Sequence, residues 1–168
     1  MKKSYKMQKP TWLTVAVCCS ALICIFFIDL EHMLIYNRFT VLVAVSGIVA
    51  MVTQVEGAWH EHLIGGVVGG VAFLALYYGA IAVLKQEGLG FGDVKYAAAA
   101  GLLLGWQRFL LSILLASVAG ALVMVISNRV THADKRKEYP FGPFLVVGTL
   151  AALFFGKAVI AWYIGLLI

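Results

Sequence analysis

Two aspartates stand at the ends of long apolar segments. Asp29 closes an apolar run that begins at Trp12, and Asp93 follows a glycine-rich stretch and precedes an alanine-rich apolar run. An ionised aspartate at the centre of a membrane helix costs about 3 kcal/mol even on the milder insertion scales. Acidic residues in such segments are therefore the first candidates for chemistry in this chain.

Each aspartate taken alone has a simpler structural explanation. An aspartate at a helix N-terminus accepts backbone N–H bonds and interacts favourably with the helix dipole. Asp93 fits this explanation because it directly precedes a predicted helix. Asp29 fits it badly, because it lies at the C-terminal end of its run, where the dipole disfavours an anion. Position alone favours a functional role for Asp29 and leaves the role of Asp93 open.

A pair of carboxylates in one site can hydrolyse a peptide bond. Two carboxylates within a few ångströms do not both ionise readily, so the pair holds a single proton. One member can then activate water as a base while the other protonates the departing amine, as in aspartic proteases. Metal and serine mechanisms are poorly supported, because the chain has no HExxH motif and no serine in a nucleophile-elbow context. The histidines also lack ligand spacing: His32, His60, His62 and His132.

Three alternating glycines precede Asp93: Gly88, Gly90 and Gly92. A helix interior would not tolerate them cheaply. They indicate a flexible segment that lets a substrate backbone lie close to Asp93, with strand-like pairing as one mode of binding. A simple glycine-rich loop is the alternative interpretation.

The composition places the chain in a membrane. Hydrophobic residues make up 62% of its 168 residues and charged residues 12%, whereas soluble domains are about 45–50% apolar. The net charge of +5 does not indicate nucleic-acid binding, because the basic residues flank apolar runs, as they do in membrane proteins. The three cysteines lie within the first apolar run without CxxC spacing and are interpreted as small apolar residues.

The apolar runs predict an all-α, polytopic membrane protein with about six transmembrane helices, forming a single domain over residues 1–168. The predicted spans are 12–28, 39–55, 62–84, 96–106, 109–126 and 144–155. The fourth is short and reaches across only if its helix begins near Asp93. The segment from 156 to 168 is predicted either to continue the sixth helix or to lie along the interface. The glycines of the third span have a spacing that favours close helix packing: Gly65, Gly66, Gly69 and Gly70.

Six spans place the loops 29–38, 85–95 and 128–139 on one face of the membrane. Asp29 and Asp93 then lie on the same side. Seven Lys and Arg residues fall on that face and six on the other. The positive-inside rule, which compares these two numbers, therefore does not decide the orientation.

Three motifs together make the chain resemble the type IV prepilin peptidases, integral-membrane aspartyl proteases of the GxGD class. The residues Gly90, Gly92, Asp93 and Lys95 read as GxGDxK, and the upstream FIDLEHMLIYN looks like the first-aspartate motif of that family. The third motif looks like its C-terminal PFGP element and contains Pro140, Gly142 and Pro143. The resemblance covers most of the chain.

The resemblance implies a function and a place in the cell. Asp29 and Asp93 would be the catalytic pair, at an active site that faces the cytoplasm from the bacterial cell membrane. The substrate would be a prepilin or pseudopilin, with a short basic leader, a glycine at the scissile bond and then an apolar helix. Both termini would lie outside, which leaves the lysine-rich N-terminus on the unexpected side.

The chain departs from the family pattern in two places. Tyr36 stands where the family usually has proline, and Asn37 where it often has aspartate. Many members also carry an N-terminal extension with paired CxxC motifs, associated with N-methylation of the new pilin N-terminus. This sequence begins directly at the first protease span, so we expect cleavage without methylation, no cofactor, no zinc and no S-adenosylmethionine site.

Four residues are candidates for contact with the substrate: Gly90, Gly92, Lys95 and Glu31. Glu31 could meet the lysines of a leader, although a solvated surface acid is an equal alternative. Lys95 has the same charge as a basic leader, so it is also expected at anionic lipid. The same holds for a basic cluster formed by Arg129, Lys135, Arg136 and Lys137. The motif residues Pro140, Gly142 and Pro143 are expected to be structural.

Two other functions are compatible with parts of this pattern. A small proton- or cation-coupled transporter would explain two membrane carboxylates and glycine-broken helices, but not why both acids lie at one face. A catalytically silent membrane scaffold for a pilus machine is the other alternative.

The expected partners are the substrate and the lipid bilayer, with no nucleic acid. The sequence decides neither the oligomeric state nor whether the role is in pili, competence or secretion.

Overall fold

The computed structural model describes residues 9–53, 58–85, 90–131 and 140–167, and within these ranges the chain forms six α-helices and no strand. The helices are α1 (Lys9–His32), α2 (Asn37–Thr53), α3 (Trp59–Leu84), α4 (Phe91–Leu104), α5 (Trp106–Thr131) and α6 (Gly142–Leu167). The predicted class, an all-α polytopic membrane protein, is confirmed.

The six helices differ in how much of a bilayer they could cross. Among the described residues, four helices are long and apolar enough to span: α1, α3, α5 and α6. The helix α2 has only 17 residues. The helix α4 has 14 residues and is about 21 Å long, whereas the hydrocarbon core is about 30 Å thick. The fourth predicted span therefore begins near Asp93 as required but does not reach across.

Two boundaries differ from the prediction, and the structure decides a third that the sequence left open. The helix α1 continues through the predicted loop 29–38 as far as His32, so that Asp29 lies in its last turn. The turn predicted at Gln107 and Arg108 lies instead at Gly105, whose φ of 77° ends α4 and lets α5 begin at the next residue. The segment from 156 onward continues α6 to Leu167.

The short helix α4 is the most enclosed part of the bundle. It packs mainly against α3 and α2, and its alanine and glycine residues are largely buried. Gly65 of α3 lies against the backbone of Gly101, and Gly69 against that of Ala97, so closely that a methyl group at either glycine would overlap it. The glycine spacing in α3 thus serves helix packing, as predicted from the sequence.

The remaining helices form a second packing group. The helix α6 packs mainly against α5 and α1, while the two groups meet where α1 contacts α2 and where α3 contacts α5. The helix α4 also touches α5 and α6 along a smaller surface. Asp93 on α4 and Asp29 on α1 therefore come from different groups.

Candidate active site

Asp93 lies in the first turn of α4 and is 9% exposed. Its backbone N–H donates to the carbonyl oxygen of Gly90 at 3.0 Å, and the N–H of Gly90 donates to its carboxylate at 3.2 Å. These bonds satisfy amide groups that a helix N-terminus leaves unpaired. The capping role considered for Asp93 is thus present. The cap does not prevent Asp93 from binding a further group such as water, because an ionised carboxylate has about four acceptor sites.

Asp29 is 4% exposed in the last turn of α1, and a residue of another helix stabilises it. The backbone N–H of Gly142, the first residue of α6, donates a hydrogen bond to the Asp29 carboxylate. The first amides of a helix have no partner inside the helix, and its N-terminus carries a partial positive charge. The start of α6 therefore supplies the favourable dipole that the end of α1 lacks.

Gly142 also explains why a glycine stands in the PFGP segment. A Cβ built at this position would lie 2.7 Å from Cγ of Asp29 and closer still to one carboxylate oxygen. Only a residue without a side chain permits the Gly142 backbone to approach the carboxylate so closely. The neighbouring Pro143 lies in the first turn of α6, where the missing N–H of a proline costs no helical hydrogen bond.

The two aspartates are close enough to repel each other electrostatically. Among the described residues, no Cα atom of α1 lies within 8 Å of a Cα atom of α4. The carboxylates therefore approach each other through their side chains and not through close packing of the two helices. Burial and like charge both oppose the state in which the two groups are ionised together. The arrangement suits a pair that shares one proton.

The glycines before Asp93 have different positions from those predicted. Gly90 is the N-cap of α4, and Gly92 lies within the first helical turn, so Gly92 is not part of a flexible segment. A Cβ at Gly92 would come within 3.1 Å of the Cβ atom of Ile35, which places the connection between α1 and α2 against the turn that carries Asp93. Gly88 lies outside the described residues.

The other substrate-contact candidates lie at the surface. The Nζ atom of Lys95 donates to Oδ1 of Asn37 at 3.1 Å and lies 5.1 Å from the centre of the Phe91 ring. The carboxylate of Glu31 is exposed and lies 3.9 Å from the imidazole of His32. Among the described residues, no hydrogen bond or ion pair joins Lys95 or Glu31 to either aspartate. The side chains of the predicted basic cluster lie outside the described residues.

A buried polar cluster beneath Asp93 was not predicted from the sequence. The hydroxyl of Tyr96 on α4 donates to Oγ1 of Thr149 on α6 at 2.9 Å, and Oγ of Ser112 on α5 lies 3.3 Å from the same atom. Thr149 in turn donates to the carbonyl oxygen of Leu145 at 2.8 Å. The available signal was a hydroxyl residue in each of three separate apolar runs.

Comparison with known proteins identifies relatives of the chain. The sequence model described as "Type IV leader peptidase family" matches residues 16–125, a range that contains both Asp29 and Asp93. The protein named prepilin leader peptidase/N-methyltransferase from Aeromonas hydrophila is 30% identical over 157 residues, which are 92% of this chain and 54% of that protein. No solved structure gives a significant match.

Proteins with the same name from two further species give similar alignments. The protein from Stutzerimonas stutzeri is 32% identical over 143 residues, 85% of this chain and 50% of that protein. The protein from Pseudomonas aeruginosa is 30% identical over 143 residues, 85% of this chain and 49% of that protein. The chain therefore spans about half the length of the curated relatives it matches.

Proposed function

Because the chain belongs to the type IV leader peptidase family, we propose that it is an aspartic-type endopeptidase whose catalytic pair is Asp29 and Asp93. The observation that carries this proposal is that two buried carboxylates from separate helices lie within the range of electrostatic repulsion. Each of them also accepts a bond from a backbone N–H of a different motif, Gly142 for Asp29 and Gly90 for Asp93.

The geometry supports a mechanism with one shared proton. The backbone N–H bonds orient each carboxylate while leaving further acceptor sites free for a water molecule. The ionised aspartate removes a proton from this water as its oxygen attacks the scissile carbonyl carbon. The protonated aspartate gives its proton to the developing oxyanion. The second aspartate then takes a proton back from one hydroxyl of the tetrahedral intermediate as the C–N bond breaks. The departing amine takes up the proton held by the first aspartate, so the pair again holds one proton.

The proposed substrate is a prepilin or pseudopilin. The names of the relatives refer to a prepilin leader, and the same substrate class is proposed for this chain, with a basic leader, a scissile glycine and an apolar helix in the bilayer. The reaction is proposed to take place at the cytoplasmic face of a bacterial cell membrane, within one domain over residues 1–168. Contacts of the substrate with Gly90, Gly92, Lys95 and Glu31 stay predictions.

Methylation is a separate question. The relatives carry N-methyltransferase in their names, but this chain aligns with only about half of their length. Cleavage without methylation, and without a cofactor, zinc or S-adenosylmethionine, stays a prediction. The transporter alternative is not favoured, because the chain belongs to a peptidase family.

Co-expression with a prepilin-type substrate in bacterial membranes tests the proposal. The mass of the substrate N-terminus reports the cleavage position and any methylation in one measurement. Asp29→Asn and Asp93→Asn keep the side-chain shape and are each expected to abolish cleavage while the protein still accumulates. Glu61→Gln, at the start of α3, is the matched control and should cleave normally. Normal cleavage by either aspartate variant would exclude that residue from the catalytic pair.

A further inference from the structure

The separation of the two aspartates must be set by something other than packing between their own helices. The helix α1 packs against α2 and α6, and α4 packs mainly against α3 and α2. On the α3 side, α4 is held by close contacts at Gly65 and Gly69 and by a hydrogen bond between Nδ1 of His62 and the carbonyl oxygen of Leu102. These contacts fix α4 relative to α3, and none of them involves α1 or α6, the two helices that hold Asp29. A shift of one residue would move Asp93 by about 1.5 Å.

The helix α6 forms hydrogen bonds with both helices that carry the aspartates, α1 and α4. At its first residue, the N–H of Gly142 donates to the carboxylate of Asp29. Two turns further on, Thr149 accepts a hydrogen bond from the hydroxyl of Tyr96, which lies three residues after Asp93 on α4. Tyr96 and Thr149 are each only 1% exposed, so water does not compete for this bond. The helix α6 is thus hydrogen-bonded to Asp29 itself and to Tyr96, which lies on the same helix as Asp93.

The hydrogen bonds of the cluster have a defined direction. Thr149 uses its single proton to donate to the carbonyl oxygen of Leu145. Its Oγ1 atom must therefore act as the acceptor toward both Tyr96 and Ser112. A tyrosine hydroxyl left without a partner in an apolar interior is costly, so the favoured position of α4 is the one in which Tyr96 reaches Thr149.

We propose that Tyr96, Thr149 and Ser112 are positioning residues that hold α4 in register with α6 and so fix the distance between the Asp93 and Asp29 carboxylates. They act through the geometry of the pair and make no contact with the substrate. This inference rests on the catalytic role proposed above for the two aspartates.

Hydroxyl deletions in a cleavage assay test the positioning role. Tyr96→Phe and Thr149→Val keep the packing volume and are each expected to lower kcat about 10- to 100-fold with KM unchanged. The two limbs of the bell-shaped pH profile of kcat should also move toward each other, because more distant carboxylates repel each other less. Thr149→Ser keeps the hydroxyl and should restore both values. Tyr163→Phe, at an exposed tyrosine of α6, should change neither.

A measurement that needs no activity separates this inference from the proposed function. In a background with the three native cysteines replaced by alanine, Asp29→Cys and Asp93→Cys are combined and the rate of oxidative cross-linking is measured. Adding Tyr96→Phe should slow the cross-linking several-fold, whether or not the parent protein cleaves a prepilin. Unchanged cross-linking and an unchanged pH profile, with only a lower melting temperature, would show that the cluster serves stability alone and would overturn the inference.

Discussion

Replacing Gly142 by alanine is expected to disable the proposed catalytic pair without changing either aspartate. The added Cβ would lie 2.7 Å from Cγ of Asp29, whereas non-bonded carbon atoms meet at about 3.5–4.0 Å. The Asp29 carboxylate or the first turn of α6 must therefore move by roughly 1 Å. Either movement breaks the hydrogen bond from the Gly142 N–H to the carboxylate.

Two independent considerations give the size of the effect. A hydrogen bond to a charged group contributes about 1.5–3 kcal/mol, which corresponds to roughly a 10- to 150-fold change in rate if it is lost only in the transition state. A misplacement of 1 Å at a reacting group can cost about 100-fold. We therefore expect kcat of Gly142→Ala to fall about 100-fold, with a smaller change in KM.

The assay compares purified variants in lipid nanodiscs on a prepilin-type substrate, with thermal unfolding measured in parallel. Gly165→Ala is the control, because Gly165 lies on the same helix and a Cβ there meets no atom within 4 Å. It should keep full activity and gain up to about 1 kcal/mol in stability from better helix propensity. If Gly142→Ala folds and cleaves at the wild-type rate, the argument that the Gly142 backbone orients Asp29 is refuted.

Four further substitutions, one of them a control, test the packing of the bundle and the surface position of Lys95. Gly65→Ala should cost about 1–3 kcal/mol of stability, because its methyl group would overlap the α4 backbone. Gly79→Ala, in open space, should cost nothing, and equal melting temperatures of the two variants would contradict this. Gly105→Ala should cost about 1–3 kcal/mol, since its φ of 77° and ψ of 161° form a conformation that only glycine adopts readily, and denaturant unfolding measures the loss. Lys95→Ala removes an exposed bond to Asn37 and should change stability by less than about 0.5 kcal/mol. A rise in KM for Lys95→Ala would support its predicted substrate contact, whereas a large loss of stability would contradict the surface assignment.

The class of fold could be predicted from the sequence, and the two aspartates could be selected as candidates, because both inferences depend on local signals. Long apolar runs identify membrane helices, and an aspartate beside them is conspicuous. The helix ends were less predictable. The polar residues from Asp29 to His32 suggested a loop, yet α1 continues through them, and Asp29 accepts a hydrogen bond from Gly142, which is distant in the chain. No local pattern contains that contact.

The central position of α4 and the polar cluster beneath it were also beyond the reach of sequence reasoning. A 14-residue apolar helix can equally be a short span or a helix enclosed by others, and only the packing against α3 and α2 decides. Likewise the partner of Ser112 is Thr149, which lies on another helix and in a distant apolar run. Pairs of this kind depend on which helices are neighbours, which the chain does not encode locally.

The shortness of α4 bears on how a hydrolase in a membrane obtains its second reactant. A helix of about 21 Å in a hydrocarbon layer of about 30 Å must have at least one end below the level where lipid headgroups begin. The longer helix α3 packs along α4, so protein, and not only acyl chains, borders this recess. A recess of this kind lets water reach the membrane depth at which an apolar peptide segment lies. Water and substrate then meet at the protein, and water does not have to pass through the acyl chains.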